Sequence, residues 1–183
     1  MTPPEPFAAE IVHTPVRHHI LSVLVENKAG VLARIAGLFA RRGFNIYSLA
    51  VAPAESDARF SRVTIVVDAE SAPIDQIVGQ LDKLVNVVAI RDLAPRDALE
   101  RELLLASVPV IDHETRARLL DTIANVGAAI VDVDASAVTV TLTGTPGACD
   151  DLERTLESFA GVELHRTGRV ALPRLGRTAT ATA

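Results

Sequence analysis

The chain has 183 residues, 49% of them hydrophobic and only 3% aromatic, with no tryptophan. That length holds one medium domain or two small ones, and the core must be built from Val, Ile, Leu and Ala. A net charge of −5 excludes a general nucleic-acid binder, which needs a basic face for phosphate, and a single cysteine excludes a disulfide framework or a cysteine metal cluster.

Residues 1–17, which include "MTPPEPFAAEIVHTP", place prolines and acids where a secretory signal needs a basic start and an apolar run. They read as a disordered leader. No apolar run approaches the ~20 residues of a membrane span, so no membrane partner is expected. A lone cysteine is compatible with a reducing cytoplasm, the expected location.

From His19, "HILSVLVE" alternates Leu21, Val23 and Val25 on one face, which is a strand. Val31, Leu32, Ile35, Leu38 and Phe39 then fall on one helical stripe, and Gly43 stands where a left-handed C-terminal residue ends a helix. "NIYSLAVAP" and "RFSRVTIVVD" are strands separated by the polar turn "AESDA". Ile74, Ile77, Val78 and Leu81 mark a second helix, and "VNVVAIRDL" a fourth strand. This first unit covers residues 18–93.

"APRDALE", residues 94–100, mixes a proline with charged residues and is expected to be a linker. The order then restarts over residues 101–173. "RELLLASVPV" is a strand, and "DHETRARLLDTIANVG" a helix with Asp112 as N-cap and Gly127 as its stop. "AAIVDVDA" and "AVTVTLTG" are strands meeting near Ser136, "TPGACDDLERTLESF" is a helix, and "VELHRTGRVAL" a last strand. Residues 174–183 read as a disordered tail.

The fold class is therefore α+β: two ferredoxin-like βαββαβ units in tandem, each an antiparallel sheet with both helices on one face. In the first unit, Ile20, Leu24, Ile46, Val63 and Ile65 are candidates for the outer sheet face, depending on register. Such a face is too apolar for solvent, which predicts that the sheet is covered by a second copy or another chain.

No catalytic constellation emerges. Cys149 opens a helix without a nearby base and reads as a small hydrophobe. His18–His19, His113 and His165 lack metal-ligand spacing. Asp150–Asp151 and Asp132–Asp134 fit a helix start and a strand end rather than an acid/base dyad. A sheet of this topology can bind RNA, but Tyr47 and Phe60 are isolated, and base stacking needs aromatics on central strands.

"ENKAGVLARIAGLFARRGFNI", Glu26 to Ile46, remains. Gly30 stands at the mouth of the first helix, where free backbone N–H groups and the helix dipole favour a carboxylate. Asn27 can donate and accept there, and Asn45, just past the helix, can reach across a subunit boundary.

"ILSVLVENKAGVLARIAGLFARRGFNIYSLAVAP", with "SRVTIVV", "LDKLVNVVAIRDL", "ERELLL", "IVDV", "VTVTLTG" and "RTGRVAL", resembles the regulatory small subunit of acetolactate synthase over about Arg17 to Leu172. The resemblance implies that the first unit is an ACT domain, an amino-acid sensor. It implies a catalytic large subunit as partner, carrying thiamine diphosphate, Mg²⁺ and FAD, and a homodimer through the ACT domain. The chain itself would be non-catalytic and hold no cofactor or metal. It would activate its partner and confer feedback inhibition by valine or a related branched-chain amino acid. Carried onto this chain, the effector site comprises Asn27, Gly30, Val31 and Leu32, with Asn45 and Ile46 supplied across the dimer interface. Ala29 stands where many ACT domains carry proline, and "ALPRL" departs from the usual basic-glycine ending. A free-standing ACT sensor acting on another enzyme or on transcription would share the first unit without needing "RTGRVAL".

Overall fold

The computed structural model describes residues 18–54, 57–68, 73–176 and 180–182, the last three by backbone alone. The expected leader lies outside the described residues.

The first unit comprises β1 (His18–Glu26), α1 (Val31–Arg42), β2 (Ile46–Ala54), β3 (Asp57–Asp68), α2 (Ile74–Leu81) and β4 (Val87–Leu93). Its strands are antiparallel in the order β4-β1-β3-β2. The second comprises β5 (Ala98–Pro109), α3 (His113–Val126), β6 (Ala129–Val133), β7 (Ala137–Gly144), α4 (Pro146–Leu156) and β8 (Glu163–Arg166). Its order, β6-β7-β5-β8, is the same arrangement read from the other edge. Tandem ferredoxin-like units are thus the architecture.

Each core lies between helices and sheet. Leu21, Val23 and Val25 of β1 and Val63, Ile65 and Val67 of β3 meet Ile35, Leu38 and Phe39 of α1. In the second unit Leu104, Ala106 and Val108 of β5 pack with Val140 of β7 under Leu119, Leu152 and Leu156. Burying each such Val, Leu, Ile or Phe side chain contributes about 1.5–3 kcal/mol, so these stripes fix which face of every element turns inward. The helix ends follow the sequence signals. Gly43 adopts φ 69° with its N–H on the Ala40 carbonyl, and Asp112 accepts from Thr115 N at 2.7 Å. Asp134 closes the β6–β7 turn by accepting from Ser136 N and Ala137 N.

Four expectations need correction. First, Val63, Ile65 and Ile46 pack on the helix side of the sheet, not on its outer face. Of the outer candidates, Ile20 is covered within the chain, where it clusters with Val66, Leu93, Ala98 and Ala171. The apolar-face argument for self-association therefore fails. Second, residues 94–100 are not a free linker. Pro95–Asp97 form a 3₁₀ turn, and β5 begins at Ala98, because that residue is buried against the outer face of the first sheet. Third, "VELHRTGRVAL" is two strands. β8 pairs with Leu104–Ser107 of β5, and β9 (Val170–Pro173) pairs with Ala98–Arg101. Fourth, part of the tail is ordered: β10 (Thr180–Thr182) pairs antiparallel with β4.

The corner between β8 and β9 docks the second unit onto β2. Arg169 N donates to Ser48 Oγ at 2.8 Å, and its guanidinium stands 4.9 Å over the Tyr47 ring. Arg169 Nε also bonds Glu102 Oε1 at 2.6 Å, with both side chains buried. Glu102 pairs with Arg166 as well, and Arg166 reaches Asp150 at 2.7 Å and Glu153 at 2.8 Å. Burial alone would lower the Arg166 pKa, but its bonds to these three carboxylates hold it above the ordinary value. Breaking one partner from a buried pair is costly, which ties the corner to the body of the second unit.

Candidate functional site

β1 delivers Asn27 to the mouth of α1. Asn27 N donates to the Arg59 carbonyl at 2.7 Å and its Nδ2 to the Ala58 carbonyl at 3.0 Å, so both backbone and side chain are anchored on β3. The chain then turns through Gly30 at φ 84°, a left-handed conformation that glycine adopts without strain. Among the described residues no side chain caps the helix, and its first turn holds no acidic residue. Beside Gly30 there is open space: a Cβ built there meets nothing within 4 Å.

An uncapped helix start combines unsatisfied N–H groups with the positive end of the helix dipole. Val31, buried, seats the first turn in the core, while Leu32 is 43% exposed and offers an apolar wall. Asn27, Gly30, Val31 and Leu32 thus lie together at the start of α1.

A polar network that sequence reasoning missed braces this mouth. Lys28 Nζ meets Glu26 at 3.1 Å, Asn86 Nδ2 donates to Glu26 Oε2 at 2.6 Å, and Arg34 Nη1 donates to Asn86 Oδ1 at 2.9 Å. The bonds from Asn86 and Lys28 hold the Glu26 carboxyl below its ordinary range. Asn86 sits in the loop before β4, and nothing in its local sequence links it to a residue sixty positions earlier. Only the sheet order brings them together.

Asn45 and Ile46 are elsewhere. They follow the C-terminus of α1, whose 12 residues rise about 18 Å from the Gly30 end. One protomer therefore does not assemble all six residues into one pocket. Asn45 is exposed, and Ile46 packs at the margin of the first core. Ile46 opens β2, an edge strand, and no described strand lies beyond it. Pro53 in β2 suits an edge, since it has no N–H to give a ladder.

Two of the other polar residues weighed from sequence have plain structural settings. Cys149 is fully buried in the second core, and burial pushes its thiol pKa up, away from nucleophilic use. His165 makes an exposed contact with Glu163 at 3.2 Å. Among the described residues no three His, Cys, Asp or Glu side chains cluster to hold a metal, and no helix is long and apolar enough to cross a membrane.

Comparison with known proteins covers both units. Residues 21–89 match the family model described as AHAS small subunit-like ACT domain, and residues 101–175 match the one described as small subunit of acetolactate synthase. The acetolactate synthase small subunit of Mycobacterium bovis is 46% identical over 156 residues, 85% of this chain and 92% of the relative. That of Mycolicibacterium smegmatis is 44% identical over 156 residues, 85% of this chain and 91% of the relative. The crystal structure of the small subunit from Thermotoga maritima superposes with a TM-score of 0.80 at 33% identity, covering 88% of this chain and 100% of that one. By both units, at this identity and with this superposition, the chain belongs to the acetolactate synthase small-subunit family.

Proposed function

We infer that this chain is the regulatory subunit of an acetolactate synthase. It activates a catalytic subunit that carries thiamine diphosphate, Mg²⁺ and FAD, and it confers feedback inhibition by valine or a related branched-chain amino acid, in the cytoplasm. The observation that carries this reading is the uncapped, open mouth of α1 at Gly30 in a chain whose two halves both match the small-subunit family.

The effector carboxylate meets the first-turn N–H groups, its ammonium meets an asparagine carbonyl, and its side chain lies against Leu32. The second half of the pocket comes from another copy. Two β2 edges pairing antiparallel about a two-fold axis bring the start of one β2 to the end of the other. β2 runs parallel to β1, since both are antiparallel to β3, so that pairing places Asn45 and Ile46 at the Asn27 end of the neighbouring protomer. An effector bridging that interface favours one orientation of the two ACT domains, and only such differential affinity can bias the catalytic subunit. Choosing valine over leucine or isoleucine rests on one or two methylenes, worth about 1–3 kcal/mol, so related amino acids compete.

Gly30→Asp tests the site. The new carboxylate occupies the place of the effector's own, in open space, and aspartate tolerates a left-handed φ better than most residues. The fold then loses at most about 1–2 kcal/mol. We expect calorimetric valine binding to vanish while activation of the cognate catalytic subunit persists. Undiminished valine binding places the site elsewhere.

A further inference from the structure

We propose that the groove between the outer face of the first sheet and the β5–β9 ribbon seats an acidic segment with apolar flanks from the catalytic subunit. This rests on the reading of the chain as that subunit's regulator and names the surface by which it is held. The groove forms a cavity of about 730 Å³ on the sheet face opposite α1.

Strand register builds its floor. Arg91, Ser22, Thr64 and Ala50 form one row across β4, β1, β3 and β2, and Arg62 stands in the next row on β3. Ser22 and Thr64 are buried beneath, and Arg62 Nη1 donates to Ser22 Oγ at 3.1 Å. Arg101 faces them from β5. Among the described residues no acidic residue lines the groove and no carboxylate pairs with Arg62, Arg91 or Arg101. Of the other arginines, Arg59, Arg96, Arg154, Arg166 and Arg169 have carboxylate partners, whereas Arg34, Arg42 and Arg116 bond amide or carbonyl oxygens. A chain of net charge −5 thus gathers three guanidinium groups without a carboxylate partner on one surface.

The rim is apolar and open. Val51, Leu99, Val170 and Leu172 are all exposed, Leu172 by 67%. An exposed apolar patch bordered by one sign of charge marks an interaction surface, and arginine supplies forked donors for carboxylates. The arginines are on exposed residues, so the groove is shaped to receive a chain rather than to enclose a small molecule. A second copy seated here about a two-fold axis would set the same arginines against each other, since an isologous contact repeats one patch. Charge complementarity therefore favours an acidic partner.

The test replaces Arg62, Arg91 and Arg101 together by glutamate, and separately by lysine, in the full chain. Binding to the cognate catalytic subunit and the concentration giving half-maximal activation are measured at low and high salt. Sedimentation, a thermal melt and calorimetric valine titration are run on the same samples. The glutamate variant is expected to need about tenfold more protein or higher for half-activation and to lose the salt dependence of the parent. Its melt, mass and valine affinity should match the parent's, and the lysine variant should retain part of the affinity. Half-activation unchanged in the glutamate variant overturns the groove alone. A changed mass shows that a second copy sits there and overturns it too. Failure of the parent to bind the catalytic subunit overturns the functional reading and the groove with it.

Discussion

Replacing Gly168 by alanine is expected to destabilise the protein by about 1–3 kcal/mol through a backbone collision. The added methyl carbon would stand 2.5 Å from the Leu49 carbonyl carbon and 3.0 Å from Ala50 N, with Leu49 O closer still. Carbon atoms rest about 3.5 Å apart, so the shortfall is about 1 Å. Neither obstacle can swing aside, because both belong to β2, which is laddered to β3. The corner must lift instead, straining the 2.8 Å bond from Arg169 N to Ser48 Oγ and the 2.6 Å bond to Glu102. For a chain of this size each kcal/mol lowers Tm by about 2–4 °C, so calorimetry should show a drop of about 2–12 °C. Gly147→Ala is the control: nothing lies within 4 Å of its Cβ position, and it sits in the first turn of α4. It should leave Tm unchanged or slightly raised, as alanine is the better helix former. A Gly168→Ala melt indistinguishable from the parent's would refute the close approach of the corner to β2.

Asp92→Asn is expected to raise Tm at pH 7. Burial lifts the Asp92 carboxyl above its ordinary value, and His19, 3.7 Å away, opposes this only in part. A raised folded pKa means that the stabilisation is present below the unfolded pKa and lost as pH rises through the folded one, so the gap between variant and parent should close towards about pH 4. A Tm loss at pH 7 would show that the carboxylate is paired. Cys149 should react with a thiol reagent only as fast as the protein unfolds, because its side chain is fully buried and its thiol pKa raised. Prompt labelling of the native protein would contradict the second core as described.

The legible parts of the fold were those written in short-range periodicity. α1 announces itself by its stripe, and Gly30 and Gly43 mark its ends because both need positive φ. β1 shows its inward face through Leu21, Val23 and Val25. β3 shows it only in part: Arg62 and Thr64 alternate with Val63 and Ile65, but the run from Ile65 to Val67 carries no phase of its own. Register shows that Val63 and Ile65 face the helices while Val66 faces outward. The same limit applies to Ala98, whose charged neighbours suggested a solvated linker although it is buried against Ile20 and Val66. Of the candidate site, the mouth at Asn27 and Gly30 was legible from one local motif. The Glu26–Asn86–Arg34 bracing was not, because it depends on which loop the sheet sets beside that motif.

β2 joins three features that the sequence presents as unrelated. It begins at Ile46, in the proposed effector site; it carries Ser48 and Leu49, on which the β8–β9 corner rests; and Val51 to Ala54 border the arginine groove. An effector that shifts the start of β2 must therefore either carry the corner with it or break its contacts. Spatial continuity alone does not make a coupling path, which requires an element with two discrete arrangements that both sites bias. The β8–β9 corner is where such an element can be sought: its charges are buried in pairs and Gly168 leaves no slack, so lifting it would break several contacts together. Gly168→Ala favours lifting the corner without touching the mouth of α1, although its methyl meets Ala50 N at the groove floor. Measured beside the melt, its valine affinity separates a corner that merely stabilises from one that couples. A merely structural corner leaves valine affinity unchanged; a coupling corner shifts it.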